Sequence, residues 1–267
     1  MHLKIKRRLT GLPHMPGWLA KAPATCLLLC YLLRHMGASP QGQRRVIVAI
    51  DGPAGAGKST IARRLAEKLG FTYIDTGAMY RAVALWALRQ GIDTRDMHRM
   101  EQLALAADIK LLPGKILLNG EDVSEAIRAP EVANGASRVA VLPGVRRALV
   151  AKQRAIGERA SVVMEGRDIG TVVFPDADVK VFLDALLEER VRRRLVEERA
   201  KGAAIDEQAL AKQMDERDRR DSTRTDAPLT QAEDAIYLDS TALSIDEVEE
   251  AILKIIRARV TNGKEIS

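Results

Sequence analysis

Apolar residues along the chain fall into short continuous runs that alternate with amphipathic stretches between residues 46 and 260. The runs have the length and composition of buried strands: residues 46–50, 71–75, 161–165, 179–183 and 235–239. The stretches between them have apolar residues at helical spacing: residues 61–69, 77–90, 97–107, 143–160, 186–221 and 244–260. Strands that alternate with helices in this way predict an α/β fold with a parallel central sheet.

Two segments interrupt this alternation. Residues 109–123 contain two turn signals, Pro113-Gly114 and Asn119-Gly120, and the second is a strong signal for a hairpin. We therefore predict three short antiparallel strands, as an insert at about residues 105–130. A second excursion, at about residues 186–225, is helical and highly charged.

The resulting organisation is one α/β domain over residues 46–260. An extension of residues 1–45 precedes it, and a short tail of residues 261–267 follows it.

The composition excludes several classes of protein. The chain has 267 residues, of which 46% are hydrophobic and 29% charged, and this mixture is too apolar for a disordered chain. No run of apolar residues reaches the length of about 18 that a membrane span requires, so an integral membrane protein is excluded. The two cysteines, Cys26 and Cys30, are too few for a disulfide framework and lack the spacing of a closed zinc site.

The net charge of +6 belongs to the extension and not to the domain. Residues 1–45 contain eight basic residues and no acidic ones, whereas residues 46–267 contain 34 basic and 36 acidic residues, a net charge of −2. Aromatic residues make up only 3% of the chain, so no platform for stacking bases is indicated. We therefore expect no nucleic-acid partner, although the overall charge alone would favour one.

The extension itself allows several interpretations. Its apolar run at residues 24–33 follows a basic stretch and suits a signal peptide, whereas the absence of acidic residues is typical of a mitochondrial transit peptide. We favour a third interpretation, in which the extension is unstructured or results from a mis-assigned start, with Met36 as the true first residue.

A phosphate-binding loop is the clearest chemical signal in the chain. Residues 52–59, GPAGAGKS, match the pattern G-x-x-x-x-G-K-[ST] and lie between a predicted strand and a predicted helix, as this pattern requires. The glycines allow backbone N–H groups to surround a phosphate, and the helix N-terminus adds partial positive charge. We expect Lys58 to reach the β- and γ-phosphates and Ser59 to bind Mg²⁺. The loop predicts binding of ATP or GTP.

Arginines near the same edge of the predicted sheet indicate a second phosphate. Arg81 and Arg167 each follow a predicted strand, and the carboxyl ends of parallel strands are where open α/β folds bind ligands. On one helix, Arg217, Asp221 and Arg224 would share a face, although such a charged run is usually a solvated surface. No Asn-Lys pair is present to read guanine, which disfavours a GTPase. A kinase that phosphorylates a second nucleotide needs several converging arginines.

Five blocks of this sequence resemble bacterial-type cytidylate kinases and occur in the order of that family: IDGPAGAGKST (50–60), DTGAMYR (75–81), EVANGAS (131–137), EGRDIGTVVFP (165–175) and LDST (238–241). The resemblance covers about residues 46–260. It implies a P-loop three-layer fold in which the antiparallel insert enlarges the monophosphate-binding region. It also implies that the helical segment at 186–225 is a lid that closes over ATP.

The resemblance also implies roles for individual residues. The residues expected to contact ATP are Gly52, Pro53, Ala54, Gly55, Ala56, Gly57, Lys58, Ser59 and Thr60, with Ser59 holding Mg²⁺. The residues expected to bind CMP are Thr76, Tyr80, Arg81, Ser137, Arg146, Arg167, Asp168, Asp221 and Arg224. Among these, Arg81, Arg167 and Arg224 would bind the phosphate of CMP, with Thr76 and Tyr80 lining its pocket. Ser137, Arg146 and Asp168 would read cytosine, and Asp221, helped by Arg217, would meet the ribose. The catalytic residues would be Lys58, Arg167 and Arg217.

The activity that this resemblance implies is ATP-dependent phosphorylation of CMP and dCMP to CDP and dCDP by direct in-line transfer. Two alternatives stay open at this stage: another nucleoside-monophosphate kinase, such as a uridylate-specific one, and a binding module that uses ATP as a switch. We expect a cytoplasmic protein without stable membrane association, because the reaction needs ATP. We also expect a monomer, because the sequence has no heptad repeat or large apolar patch. Organelle targeting through residues 1–45 is the alternative.

Overall fold

The computed structural model describes residues 45–200, 202 and 206–262. Of the extension the structure describes only Arg45, and of the tail only residues 261 and 262. The interpretations of these two segments therefore concern residues outside the described ones. The domain limits stay a prediction.

Within the described residues the chain forms eight strands: β1 Ile47–Asp51, β2 Thr72–Asp75, β3 Ile109–Leu112, β4 Lys115–Leu118, β5 Glu121–Asp122, β6 Val162–Gly166, β7 Val179–Asp184 and β8 Ile236–Asp239. The α-helices of this part are α1 Lys58–Leu69, α2 Thr76–Arg89, α3 Met97–Ala106, α4 Pro130–Val139, α5 Pro143–Gly157, α6 Leu187–Ala200, α7 Glu207–Thr223 and α8 Ile245–Asn262. None of the helices in the described ranges is both long enough and apolar enough to cross a membrane.

The five strands predicted from apolar runs form one parallel sheet in the order β2-β6-β1-β7-β8. Strand β1 lies in the centre, where Asp51 stands opposite Gly166 of β6 and Phe182 of β7. The central strands are largely buried on both faces, which is why their sequences are continuous apolar runs and do not alternate with polar residues. The carboxyl ends of these strands meet at one edge of the sheet.

Helices cover both faces of the sheet. Val48 and Ile50 of β1 belong to one buried cluster with Leu65 of α1 and Ile252 of α8. Ala49 points to the opposite face, because successive strand residues alternate, and it packs there in a cluster that includes residues of α5. A third cluster joins α2 to α3, α4 and α5. The arrangement confirms the predicted three-layer α/β fold.

The antiparallel insert is also confirmed. Strands β3, β4 and β5 form a separate three-stranded sheet in that order. Asn119 and Gly120 at the second turn have φ angles of 52° and 87°, and two successive positive φ angles are what a two-residue hairpin turn requires.

The charged segment after β7 is a pair of helices, α6 and α7, and not one continuous helix. Its own small core consists of Val191, Leu195, Leu210 and Met214. Helix α7 ends at Thr223 with Arg224 as its C-cap: the Arg224 N–H still donates to the Arg220 carbonyl, and a ψ of 140° then takes the chain out of the helix. The chain turns back there, and the Leu229 N–H donates to the Asp221 carbonyl.

Two elements of the fold were not predicted. Helix α4 contains Asn134 and Gly135, which are poor helix formers. At Gly135 helix α4 packs closely on α2: an added Cβ would lie 3.2 Å from the Cβ of Ala84, a tight contact. The second is a π-helical turn, Ile169–Val173, which begins directly after Arg167 and Asp168.

Candidate functional site

The phosphate loop connects β1 to α1 with its glycines in conformations that other residues rarely adopt. Gly52, Gly55 and Gly57 have φ angles of 146°, 79° and 91°. A Cβ at Gly52 would lie 1.9 Å from the carbonyl oxygen of Leu183 in β7, so only glycine fits there. Gly57 caps α1 without a side-chain hydrogen bond, which leaves the first N–H groups of the helix available to an anion.

Lys58 is buried at the start of α1 and points back into the loop. Its Nζ donates a hydrogen bond of 2.6 Å to the carbonyl oxygen of Pro53. Burial, and then repulsion by Arg167, lowers the pKa of Lys58 to about 7, against the opposing attraction of Glu165. Removal from water makes the ammonium group ready to interact with a strongly anionic ligand.

Glu165, the only acidic residue of β6, lies next to the phosphate loop. Its Oε2 accepts a hydrogen bond of 2.9 Å from the Ser59 hydroxyl, and its Oε1 accepts one from the Tyr73 hydroxyl. Burial raises the pKa of Glu165, and the neighbouring Asp75 raises it further. We did not assign Glu165 a role from the sequence, although its position at the carboxyl end of a buried strand was a signal that could have found it.

Ser59 and Glu165 together suit a magnesium ion. Mg²⁺ prefers oxygen ligands and binds through one or two carboxylates together with substrate phosphates. Among the described residues no group of three or more histidine, cysteine or acidic side chains could hold a metal ion. The Ser59 hydroxyl and the Glu165 carboxylate, which are hydrogen-bonded to each other beside the phosphate loop, fit an ion that arrives with a nucleotide.

A group of arginines lies at the same edge of the sheet. Arg167 follows β6, and its Nε donates a hydrogen bond of 2.9 Å to Asp221 Oδ2 of α7. Burial acts to raise the pKa of Asp221, but Arg167 and Arg217 outweigh it and hold that pKa below its usual value. Arg81 on α2 pairs with Asp75, at 2.8 Å from Nη2 to Oδ2. These residues come from three separate parts of the chain: the segment after β6, helix α7, and helix α2 with the end of β2.

A second group surrounds Asp168. Its carboxylate accepts a hydrogen bond from the buried Arg146 of α5, and Arg224 Nη2 lies 3.6 Å from its Oδ1. Arg146 also donates to Asp226, at 3.0 Å from Nε to Oδ2. Burial raises the pKa of Tyr80 to about 12, and Tyr80 adjoins this same group. A cleft of about 410 Å³ opens beside it, lined in part by Arg224 and Asp226.

Several buried polar atoms of this region have no hydrogen-bond partner: Ser137 Oγ, Arg217 Nε and Arg224 Nη2. Burial, and then repulsion by Arg167, lowers the pKa of Arg217 to about 10. Leaving a buried donor unpaired costs about 1–3 kcal/mol, and unpaired groups in folded proteins therefore call for a physical reason. A ligand that supplies acceptors in the bound state is such a reason.

Asp51 connects the phosphate loop to the segment that carries Arg167 and Asp168. Its two carboxylate oxygens accept hydrogen bonds from Ile169 N at 2.8 Å and Gly170 N at 2.7 Å. Burial raises its pKa to about 6, against the effect of these two hydrogen bonds. We did not single out Asp51 from the sequence, because its partners are more than a hundred residues away.

The remaining predicted residues have mixed positions. Thr76 is buried at the start of α2, and its hydroxyl donates a hydrogen bond of 2.7 Å to the Glu165 carbonyl. Ser137 lies on α4, and its buried hydroxyl has no hydrogen-bond partner. Thr60 is exposed on α1. The binding roles of all these residues stay predictions.

An enzyme that brings two phosphate groups together needs positive charge around both of them. Here the arginine group and the phosphate loop are neighbours, because Arg167 and Arg217 lie close enough to Lys58 to lower its pKa. The fold and the site define a P-loop kinase. The sequence profile of the family described as cytidylate kinase matches residues 48–258, so the chain belongs to the cytidylate kinase family.

Individual relatives agree with this assignment. A cytidylate kinase of Solibacter usitatus (strain Ellin6076) is 74% identical over 227 residues, which cover 84% of this chain and 98% of that one. One of Caldanaerobacter subterraneus subsp. tengcongensis is 51% identical over 212 residues, covering 79% and 95%. One of Geobacillus kaustophilus is 49% identical over 222 residues, covering 82% and 99%. The family resemblance inferred from the five blocks of sequence is confirmed.

Proposed function

We propose that this cytidylate kinase transfers the γ-phosphoryl group of ATP directly to a phosphate oxygen of CMP or dCMP, with the phosphate loop as the donor site and the arginine groups as the acceptor site. The observation that carries the proposal is that Arg217, close to Lys58 of the phosphate loop, and Arg224, whose Nη2 lies 3.6 Å from Asp168 Oδ1, each have a buried donor without a hydrogen-bond acceptor. Donors of this kind fit the oxygens of a second phosphate and of a nucleoside.

On the donor side, the loop residues 52–60 would surround the phosphates of ATP, with Lys58 moving from the Pro53 carbonyl to the phosphate oxygens. Ser59 and Glu165 would hold Mg²⁺, whose contribution when bound is to neutralise phosphate charge. The hydrogen bond between these two side chains supports this assignment, because it keeps both oxygens on the same side of the loop.

On the acceptor side, Arg81, Arg167 and Arg224 would bind the phosphate of CMP, in a pocket lined by Thr76 and Tyr80. The pairing of Arg81 with Asp75 and of Arg167 with Asp221 holds both guanidinium groups in place before the substrate arrives. Preorganised donors of this kind stabilise developing charge without having to reorganise during the reaction.

The nucleoside of CMP would contact the groups farther from the phosphate. Ser137, Arg146 and Asp168 would read cytosine, and Asp221 with Arg217 would meet the ribose. A site that hydrogen-bonds the edge of a base discriminates strongly against bases that leave its polar groups unpaired. Both Arg146 and Asp168 are buried, which supports such a role.

The chemistry needs no covalent intermediate. The bond between the γ-phosphorus and its bridging oxygen breaks, ADP leaves with that oxygen, and a new bond forms to an oxygen of the acceptor phosphate. The acceptor is already an anion, so no strong general base is required. Catalysis would come from positioning and from charge neutralisation by Lys58, Arg167 and Arg217. We further propose that α6 and α7 act as a lid over ATP, which would exclude water.

The protein would work as a cytoplasmic monomer with small-molecule substrates alone. The slightly acidic charge of residues 46–267 supports the absence of a nucleic-acid partner.

A coupled assay that follows ADP formation with CMP, dCMP, UMP and AMP tests this proposal. We expect the highest kcat/KM with CMP or dCMP. Equal or greater activity with UMP or AMP would contradict the assignment of the base-reading residues. Calorimetry with CMP in the absence of ATP separates an enzyme with its own acceptor site, which binds CMP, from a module that uses ATP as a switch.

A further inference from the structure

Two charged side chains of the helix pair, Arg190 of α6 and Asp218 of α7, form hydrogen bonds with the backbone of the phosphate loop. Arg190 is buried, and its Nη1 donates a hydrogen bond of 3.0 Å to the carbonyl oxygen of Ala54. The same Nη1 bonds Asp218, and Nε donates to the Ala185 carbonyl at 2.8 Å. Asp218 Oδ1 in turn accepts the N–H of Ala54 at 3.4 Å. Both backbone groups of one loop residue are therefore held by this pair.

These contacts set the orientation of two peptide units. A trans peptide is planar, so its C=O and N–H groups point in opposite directions. The peptide between Pro53 and Ala54 directs its N–H to Asp218, and its carbonyl oxygen accepts the hydrogen bond of Lys58 on the other side. The peptide between Ala54 and Gly55 directs its carbonyl to Arg190, so the N–H of Gly55 points away from the helix pair.

Gly55 also lies against the helix pair. A Cβ at Gly55 would lie 2.9 Å from Met214 Cε and 3.2 Å from the backbone oxygen of Arg190. This side of the loop therefore contacts α6 and α7, whereas Lys58 bonds the opposite side of the peptide between Pro53 and Ala54.

We propose that Arg190 and Asp218 are positioning residues of the donor site: they fix the peptides on both sides of Ala54, and thereby the placement of Lys58 and of the loop N–H groups toward the phosphates of ATP. Neither side chain touches substrate. Arg190 also neutralises Asp218, which keeps an uncompensated carboxylate from repelling the polyphosphate. This inference rests on the proposed binding of ATP at residues 52–60.

Variants of the full chain separate this role from a purely structural one. Arg190→Lys keeps a positive charge near Asp218 but cannot reach the Ala54 and Ala185 carbonyls at the same time. Asp218→Asn keeps the size of the side chain and removes its charge. Arg194→Lys on α6 and Asp215→Asn on α7 are matched controls, because both residues form ion pairs on the exposed surface.

The measurements are KM for ATP, KM for CMP, kcat, and equilibrium binding of ATP and of inorganic tripolyphosphate by calorimetry. We expect Arg190→Lys to lower kcat/KM for ATP by about 10- to 100-fold, since small misplacements in a site of this kind are costly, while KM for CMP changes little. Affinity for ATP and for tripolyphosphate should fall by the same factor, because the lost contacts are those of the phosphates. Asp218→Asn should show the same pattern to a smaller extent, and the controls should match the unmodified protein.

The proposal is overturned if Arg190→Lys and Asp218→Asn lower the unfolding temperature but leave the kinetic constants unchanged, or if affinity falls for ATP and not for tripolyphosphate. If Arg190→Lys does not fold, the Asp218→Asn comparison decides. The binding measurements need no CMP, so a failure of the cytidylate assignment in the substrate assay would be seen separately from a failure of this inference.

Discussion

Arg167 is the residue through which the two sides of the site meet. It bonds Asp221 on the acceptor side, and it is close enough to Lys58 on the donor side to lower the pKa of that lysine. Only 18% of its side chain is exposed, so its charge acts in a region where water screens it weakly.

Arg167→Lys tests this position. We expect kcat to fall by about 10²–10³-fold, because a lysine supplies a point charge in place of the planar fork and one preorganised donor of this kind is worth that factor. Steady-state kinetics with CMP and ATP measure it, with Arg99→Lys on the exposed face of α3 as the control. A kcat equal to that of the control would rule out a catalytic role for Arg167.

Asp51→Asn tests the buried carboxylate that joins the loop to the π-helical turn. The pKa of Asp51 is raised from 3.8 to about 6, so its contribution to folding becomes less favourable as the pH rises through this window. Asn does not titrate. The free energy of unfolding of the variant, relative to the unmodified protein, should therefore increase by up to about 3 kcal/mol between about pH 4 and pH 7.

Urea unfolding of both proteins at several pH values measures this difference, in which the other titrating groups cancel. Lys58 and Asp168 are the charged groups that act on Asp51 in the folded state. If this difference in the free energy of unfolding stays constant with pH, the pKa of Asp51 is the same in the folded and unfolded states, which would contradict the prediction.

The sequence predicted the residues that follow a recognisable local pattern, and it missed those defined by distant contacts. Lys58 and Ser59 belong to a pattern of eight residues, and the arginines follow predicted strands. Arg190 lies in a run of charged residues that looks like a solvated helix, and its contact with Ala54 spans 136 positions. No local pattern carries that information.

At the scale of elements, the helix pair contacts the phosphate loop at Ala54 and Gly55. Gly55 has a φ of 79°, and a Cβ there would lie 2.9 Å from Met214 Cε and 3.2 Å from the backbone oxygen of Arg190.

Gly55→Ala should destabilise the protein by about 1–3 kcal/mol, because it adds backbone strain to a close contact. It should also weaken ATP binding more than CMP binding. Thermal unfolding and calorimetry with each nucleotide measure these effects, and Gly202→Ala, at a positive φ with no neighbouring atoms within 4 Å, controls for strain alone. Equal losses in both variants would mean that the packing contributes nothing.

Elements were predictable where burial determines the sequence. The central strands are apolar because both of their faces are covered. The hairpin is recognisable in the sequence because Asn119-Gly120 is a residue pair that readily adopts the two positive φ angles of its turn. Helix α4 could not be recognised in the same way, because Asn134 and Gly135 weaken its helical pattern, and the close approach of α2 at Gly135 is a contact between distant parts of the chain. The end of α7 has no clear local signal either: the chain turns back after Arg224, and the Leu229 N–H donates to the Asp221 carbonyl.

At the scale of the whole molecule, charge is divided along the chain. A chain that begins at Arg45 lacks seven basic residues and no acidic ones, so its net charge is −1 in place of +6.

We expect this shortened chain to keep the kcat and KM of the full chain, because the predicted site residues all lie between Gly52 and Arg224. It should lose retention on a cation exchanger at pH 7, since long-range attraction follows net charge. Kinetics and chromatography of both chains test this, and a loss of activity on shortening would assign the extension a part in the enzyme.

The parallel register of β1 with β6 has one more consequence. Asp51 stands opposite Gly166, and a slip of one residue would turn every side chain of the strand to the other face, including Glu165. Both faces of β1 and β6 are apolar, so burial alone would tolerate such a slip, whereas the hydrogen bonds from Ile169 N and Gly170 N to Asp51 would not. The specific activity of a refolded sample should therefore fall in molecules that lose this register, even if they have buried their apolar residues.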